Sequence, residues 1–191
     1  KKEQDEMQEI ANALEKAGFS VFLPHRDGFE FSKLIEDFKE MGCSKEKANK
    51  ILNKAIFALD IFEVLDSEGI VLNINGRVPD EGAIVEAGIA WNAGKTVVIY
   101  KTDTRTLING SDNPLLLGLG NFKTINSIDE IPKTFRKMIQ NNGNKNQGKR
   151  IIDNSNLDEI YVKGREISRL SKEIHDKREI CSSLITLLDE E

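Results

Sequence analysis

The sequence predicts an α/β fold in which a parallel sheet is flanked by helices. Residues 69–72 and 96–100 are two continuous apolar runs of strand length. The segment between them, 81–93, has the length and composition of a helix, and strands that alternate with helices are typical of a parallel sheet. A third pattern, apolar residues that recur every seven positions near the carboxyl terminus, predicts a long helical extension.

Local signals define the remaining elements. In order, the prediction is helix 2–17, strand 19–24, loop 25–28, helix 29–41, a helix that begins after Ser44, strand 70–73, helix 81–93, strand 96–100, loop 107–120, edge strand 122–125 and helix 129–140. Apolar residues at helical spacing define the helices. Gly18 and Gly42 end two of them, Ser44 can cap the next, and Pro24 ends the first strand.

The chain divides into three predicted segments: an α/β domain over residues 1–140, a polar linker over 141–155 and an amphipathic C-terminal helix over 156–191. The heptad positions of this helix, which is expected from about residue 157 to 188, are Ile160, Ile167, Ile174, Cys181 and Leu188. Lysines at other seam positions argue against a regular coiled coil. We therefore expect the helix to pack on the body of the protein or on another subunit.

Composition restricts the function. The net charge of −5 argues weakly against a nucleic-acid polymer as partner, because phosphate backbones select basic surfaces, but it leaves small neutral ligands open. The two cysteines, Cys43 and Cys181, make no metal-binding spacing and are interpreted as idle thiols in a reducing cytosol. No apolar run has the length of a membrane span, and no signal peptide is visible, so a cytoplasmic protein is expected. The sequence shows no metal cluster, P-loop or dinucleotide fingerprint.

Glu86 is the candidate of most interest because it is the one charged residue in the stretch 82–93. On a helix, its neighbours one turn away are Gly82, Ala83, Ile89 and Ala90. Three of these are very small, which favours a carboxylate that faces a pocket over one on an ordinary surface. The alternative is a solvated side chain on an exposed helix face.

Two further acids and one arginine are candidates. Ligands of parallel sheets bind beyond the carboxyl ends of the strands, where Asp80 is expected to begin the helix that carries Glu86. Asp80 can also be a simple N-cap, and Asp60, which follows an apolar helical stretch, can be a capping or solvated residue. Arg26 follows the first predicted strand and can contact a phosphate or pair with an acid.

At these positions the chain resembles the nucleoside 2-deoxyribosyltransferases. The matching residues are Asp60, the run Asp80-Glu81-Gly82, the run Glu86-Ala87-Gly88-Ile89-Ala90, the pair Gly94-Lys95 before a strand, and Asp112-Asn113-Pro114 with the leucines that follow. The resemblance covers roughly residues 21–139. It implies a flavodoxin-like α/β fold and a transferase that moves 2-deoxyribose between nucleobases without a cofactor.

The resemblance also implies roles for individual residues. Glu86 is the expected nucleophile and Asp60 the expected acid and base toward the nucleobase. Asp80 is expected to bind sugar hydroxyls beside Gly82, and Asn113 to reach a neighbouring subunit's site, which implies a homo-oligomer with a shared active site. The expected partners are a deoxynucleoside and a free nucleobase, with neither a nucleic-acid polymer nor a membrane.

Two functions other than the transferase stay open. A hydrolase of deoxynucleosides or their 5′-monophosphates would use water as acceptor, with Arg26 as a phosphate contact. A sensor would bind a nucleotide without turnover and relay its occupancy through the C-terminal helix.

The family opens with a strand and a loop that carries an aromatic residue, whereas this chain opens in a helix. We therefore expect a strand before Lys1, or another segment in its place.

Overall fold

The computed structural model describes residues 2–28, 31–76, 80–106, 110–143 and 155–189. Its elements in chain order are α1 (Lys2–Lys16), α2 (Pro24–Asp27), α3 (Ile35–Glu40), α4 (Lys45–Asp66), β1 (Gly69–Asn73), α5 (Glu81–Asn92), β2 (Thr96–Tyr100), α6 (Pro114–Leu119), β3 (Thr124–Ile125), α7 (Ile131–Gly143), α8 (Ser155–Glu173) and α9 (Lys177–Leu188), with 3₁₀ turns at Phe31–Leu34 and Ile128–Glu130. None of the described helices is both long and apolar enough to cross a membrane.

The chain forms two compact units. The first, which we call the sheet unit, comprises Lys1–His25 and Val64–Asp153. The second, the helical unit, comprises Arg26–Glu63 and Asn154–Glu191.

The sheet unit confirms the predicted parallel sheet. Within the described residues, the strands lie in the order β1-β2-β3, and all pairs are parallel. The predicted strands 70–73 and 96–100 are paired from Gly69 opposite Thr96 to Asn73 opposite Tyr100. β3 forms the edge strand that was predicted at 122–125, although it is limited to two residues.

Alternate residues of β2 define the two faces of the sheet, as the pleat of a strand requires. Val97 and Ile99 face one side, where they pack with Leu72 of β1 and with Ala87 and Ala90 of α5. On the other side, the core comprises Ile10, Leu14, Val98, Tyr100, Ile131 and Phe135. Helices therefore cover both faces, α5 on one and α1 and α7 on the other, which is the arrangement of a flavodoxin-like α/β fold.

The helical unit is a separate apolar core made by α3, α4, α8 and α9. Its fully buried members include Phe38, Ile51, Ala55, Cys181 and Leu184. Burial raises the pKa of the Cys181 thiol to about 11, so this cysteine is protonated at neutral pH. Both Cys181 and Cys43 are free thiols.

Several predicted boundaries are wrong. Residues 19–23 form no strand, because Phe19 and Val21 pack their side chains into the core under α1 and α7 instead of pairing with the sheet. Pro24 begins the short helix α2, in what was expected to be a loop at 25–28, and proline is favoured at a first helical position. The helix expected over 29–41 is a 3₁₀ turn followed by α3, with residues 29 and 30 outside the described part.

The C-terminal extension contains two helices instead of one. Asp176 caps α9, since its Oδ1 accepts hydrogen bonds from the backbone N–H groups of Arg178 at 2.8 Å and Glu179 at 3.3 Å. The backbone of 174–176 is not helical. Most of the predicted linker, residues 144–154, lies outside the described residues.

Candidate active site

The N-terminus of α5 is built around Asp80. Its Oδ1 accepts a hydrogen bond from the Ala83 backbone N–H at 2.8 Å, which confirms the N-cap that the sequence predicted. A Cβ atom added to Gly82 would lie 3.2 Å from the same oxygen, so a larger residue there would press on the cap. The Asp80 side chain is exposed. A carboxylate has several acceptor positions, so Asp80 can bind a second donor while it caps the helix.

Glu86 lies on α5 at the border between the buried and exposed faces of the helix. Its side chain is half-buried, while the next residue, Ala87, is fully buried against the sheet together with Ala90. Val85, on the side of α5 opposite Ala87, is exposed. Packing therefore accounts for part of the small-residue pattern, because alanines allow α5 to approach β1 and β2 closely. The exposed Gly82 and half-buried Ala83 lie on the side of α5 that carries Glu86.

A polar cluster joins the carboxyl ends of β1 and β2 to α1. We call it the amide junction, and it consists of Glu6, Asn73, Asn75, Thr102 and Asp103. Glu6 Oε2 accepts hydrogen bonds from the side-chain amides of Asn73 at 3.2 Å and Asn75 at 3.1 Å. Asn75 Oδ1 accepts from the backbone N–H groups of Thr102 at 2.7 Å and Asp103 at 2.9 Å. The junction thus fixes the chain where it leaves both central strands, the usual position of a ligand site in a parallel sheet.

The loop after β2 is fixed by charged side chains. Lys101 Nζ donates to both carboxylate oxygens of Asp112 at 2.6 and 2.7 Å and to the Arg105 carbonyl at 2.6 Å. Hydrogen bonds from Arg105 hold the pKa of Asp103 well below its usual range. Because Asp112 immediately precedes Asn113, the Lys101–Asp112 ion pair links the end of β2 to the start of α6.

Asn113 is the N-cap of α6. Its Oδ1 accepts a hydrogen bond from the Leu115 backbone N–H at 2.9 Å. Leu116 is buried in the sheet unit, whereas Leu115 is 82 % exposed. Helix α6 contacts α5, so Asn113 and Glu86 lie on two neighbouring helices.

The other two candidates, Arg26 and Asp60, belong to the helical unit. The Arg26 guanidinium pairs with both carboxylate oxygens of Asp27, with Nε to Oδ1 at 2.7 Å. This is the acid pairing that the sequence left as the alternative to a phosphate contact.

Asp60 lies inside α4, not at the end of a helix as the sequence suggested, because α4 continues to Asp66. Burial raises the pKa of Asp60 to about 6, and the negative charge of nearby Glu63 adds to the rise. Glu63 is held by a hydrogen bond of 2.9 Å from Ser168 Oγ. A carboxyl group of this kind can hold and release a proton near neutral pH.

Sequence reasoning thus located the α5 cap and its acid but missed most of the amide junction. Asp80, Gly82, Glu86 and Asn113 all belong to the sheet unit. Glu6 is 67 positions from Asn73, so no local pattern connects them. The available signal was the pair of asparagines at the end of an apolar strand, Asn73 in its last position and Asn75 two positions later. In the described residues, no group of three or more His, Cys, Asp or Glu side chains could hold a metal ion.

Comparison with known proteins identifies a family for the chain. The family model described as nucleoside 2-deoxyribosyltransferase matches residues 1–157, which is most of the chain and includes the sheet unit's strands, α5 and α6. No curated protein and no solved structure matches the chain.

Proposed function

The chain belongs to the nucleoside 2-deoxyribosyltransferase family, and we propose that it transfers 2-deoxyribose from one nucleobase to another. The observation that carries the proposal is the match over residues 1–157, which includes the capped helix α5 and its half-buried acid Glu86. The family supports an enzyme of the glycosyltransferase type. The substrates, the covalent mechanism and the residue roles below are our proposal.

Glu86 is the proposed nucleophile. When the N-glycosidic bond breaks, positive charge develops at C1′ of the sugar, and a carboxylate on the opposite face can capture that carbon. The C1′–N bond breaks as a C1′–O bond to Glu86 forms, and the base leaves. A nitrogen of the incoming base then attacks C1′ and displaces Glu86, so two inversions give retention at C1′.

Asp60 is the proposed proton donor and acceptor. The departing base needs a proton on its nitrogen, and the incoming base must lose one, so a single carboxyl group can serve both steps. An ordinary aspartate is almost fully ionised at neutral pH. The pKa of about 6 leaves Asp60 protonated often enough to act as an acid and ionised often enough to act as a base.

Asp80 and Gly82 are the proposed sugar-binding residues. Asp80 Oδ1 is occupied by the helix cap, but the exposed carboxylate can accept a further hydrogen bond from a sugar hydroxyl. Gly82 is exposed beside it and leaves space that a side chain would occupy. The cap fixes the direction of the Asp80 carboxylate. Less side-chain entropy is therefore lost when Asp80 binds a sugar hydroxyl.

Asn113 is proposed to complete the site of a neighbouring subunit in a homo-oligomer. It stands at the start of α6, next to the highly exposed Leu115. Phe122, in the turn after α6, is 70 % exposed and has a backbone φ of 59°, a conformation that a residue with a bulky side chain rarely adopts. Two large exposed apolar side chains, one in the first turn of α6 and one just after its C-terminal end, support a subunit contact at α6.

Incubation with deoxyadenosine and free hypoxanthine tests the proposal. The expected result is deoxyinosine that appears as deoxyadenosine disappears, with retention at C1′. Free adenine without deoxyinosine would show that water is the acceptor and would replace the transferase with a hydrolase. No turnover of any deoxynucleoside tested, together with binding of nucleotides, would replace both with a sensor.

A further inference from the structure

A basic cavity that is largely open to solvent lies between α1 and α7 in the sheet unit. Its volume is about 590 Å³, which is within the size range of small-molecule sites. Four cationic side chains line it, namely Lys16, Lys133, Arg136 and Lys137, with one acid, Asp129. Small apolar residues, among them Ala13 and Pro132, line the rest. The chain as a whole carries a net charge of −5, so this concentration of positive charge is local.

The cations of α7 are not compensated within their own helix. Arg136 and Lys137 follow Lys133 by three and four positions, so all three lie on the same side of the helix and repel one another. Helix α7 contains no acidic residue. Lys133 is also in the first turn, where the helix dipole disfavours a positive charge. In the described part of the chain, Lys16, Lys133 and Lys137 form no ion pair.

Arg136 is already oriented. One of its terminal nitrogens donates a hydrogen bond to the Ala17 carbonyl at 2.6 Å, and its guanidinium lies 5.2 Å from the centre of the Phe19 ring. These two contacts hold the planar group at the end of α1 and leave further N–H donors for another acceptor. A guanidinium fixed in this way loses little side-chain entropy when it binds an anion.

We propose that this cavity binds a small molecule that carries a polyphosphate chain. Adjacent phosphates supply several charges over a short distance, and their oxygens match both the fork of Arg136 and the ammonium groups of the lysines. Binding would remove the repulsion among the three cations of α7. A free polyphosphate and a nucleoside polyphosphate share this chemistry.

The cavity is separate from the amide junction. Glu6 and Ala13 are seven positions apart on α1, which is about 10 Å along the helix axis. Glu86, the proposed nucleophile, lies on α5, which covers the opposite face of the sheet from α1 and α7. The proposed ligand is therefore a second one, distinct from the deoxynucleoside, and the proposal does not depend on the transferase reaction.

Titration calorimetry with inorganic triphosphate as the probe tests the proposal. The double variant Lys133→Glu/Lys137→Glu should weaken binding by at least about tenfold, equivalent to about 1.4 kcal/mol. The control is Lys45→Glu/Lys50→Glu, which changes the net charge equally at two exposed lysines of α4. Circular dichroism should show that both variants are folded. The control should bind triphosphate as the unmodified protein does.

Comparison with a nucleoside triphosphate distinguishes the two sources of the phosphate chain. Equal affinity would identify the chain alone as the ligand, and tighter binding of the nucleotide would identify a nucleotide site. No triphosphate binding at physiological salt would overturn the proposal. An equal loss of triphosphate affinity in the control variant would also overturn it. So would oligonucleotide binding that becomes tighter as the oligonucleotide becomes longer.

Discussion

At the scale of single residues, the transferase proposal depends most on Glu86. Replacement by Gln keeps the size of the side chain but removes the nucleophile, so turnover should fall by about a thousandfold or more. The matched control is Glu81→Gln on the same helix, where the side chain is exposed. Initial rates of deoxyinosine formation would measure both variants. A Glu86→Gln enzyme that kept a tenth of the activity would remove Glu86 from the mechanism.

Asp60 makes a prediction about stability that is independent of turnover. Its pKa is raised from 3.8 to about 6 in the folded state, so at intermediate pH the native chain binds a proton that the unfolded chain has lost. The free energy of unfolding therefore falls as pH rises from about 4 to about 6, and the full cost is present above that window. The shift corresponds to about 3 kcal/mol at most, and solvent screening of this half-buried group lowers the expected value to about 1–2 kcal/mol.

Asp60→Asn should remove that cost, so urea denaturation at pH 8 should show a variant more stable than the original chain by about 1–2 kcal/mol. At pH 4 the difference should be small, because Asp60 is then largely protonated in the native protein. The control is Asp5→Asn, at an exposed position of α1. A variant whose stability relative to the original chain is the same at both pH values would show that the Asp60 carboxyl titrates normally.

At the scale of elements, the contact of α8 with α4 depends on Gly164. A Cβ atom at this position would lie 2.0 Å from the Ala58 carbonyl oxygen and 2.6 Å from the Phe62 Cβ. Gly164→Ala should therefore force the helices apart and cost about 2 kcal/mol or more, although alanine favours helix formation. Gly88→Ala in α5 is the control, since nothing lies within 4 Å of its added Cβ, and it should stabilise by up to about 1 kcal/mol.

Thermal denaturation of the two alanine variants would separate packing from helix propensity. The expected result is a lower Tm for Gly164→Ala and an equal or higher Tm for Gly88→Ala. If both substitutions raised Tm, the two helices would not be in close contact at Gly164.

Elements with local signals were predictable from the sequence, and elements that depend on distant contacts were not. The strands 70–73 and 96–100 are continuous apolar runs. Ser44 is the N-cap of α4 and Asp80 is the N-cap of α5. Residues 19–23 also look like a strand, but nothing local shows that their side chains are used for packing instead. The heptad pattern at the C-terminus extends across the end of α8, and the cap at Asp176, with Glu179 three positions later, was the overlooked signal.

The same distinction applies to the candidate site. The Asp80 cap and the helix that carries Glu86 could be predicted because they lie within one short segment. The contact of Glu6 with Asn73 and Asn75 joins the first helix to the first strand, so it depends on the folded sheet unit. The roles of Asp60 and Arg26 stay predictions.

At the scale of the whole molecule, the proposed sharing of the active site between subunits predicts an oligomer that assembles through α6. Leu115 is exposed beside the N-cap Asn113, and Phe122 is exposed in the following turn, so a subunit contact would remove two large apolar side chains from water. Leu115→Lys should therefore weaken assembly, because it would bury a charge at the contact. Sedimentation velocity over a range of concentrations would measure the change, and Val162→Lys, at an exposed position of α8, is the control.

The role of Asn113 needs a variant that separates its cap from its contact with substrate. Asn113→Asp retains an oxygen that can accept the Leu115 N–H and therefore keeps the cap, whereas it replaces the amide donors with a negative charge. If Asn113 binds the sugar in a neighbouring subunit, this variant should assemble normally and have an unchanged Tm. Its KM for deoxynucleoside should rise by about tenfold or more, because a lost hydrogen bond of this kind is worth about 1.5 kcal/mol.

A mixture of subunits tests whether the site is shared. Inactive Glu86→Gln subunits mixed with Asn113→Asp subunits should recover part of the turnover, because some of the mixed sites combine an intact Glu86 with an intact Asn113. A monomer with full activity would show that each site is built from a single chain. So would a mixed assembly that contains both subunit types but recovers no turnover.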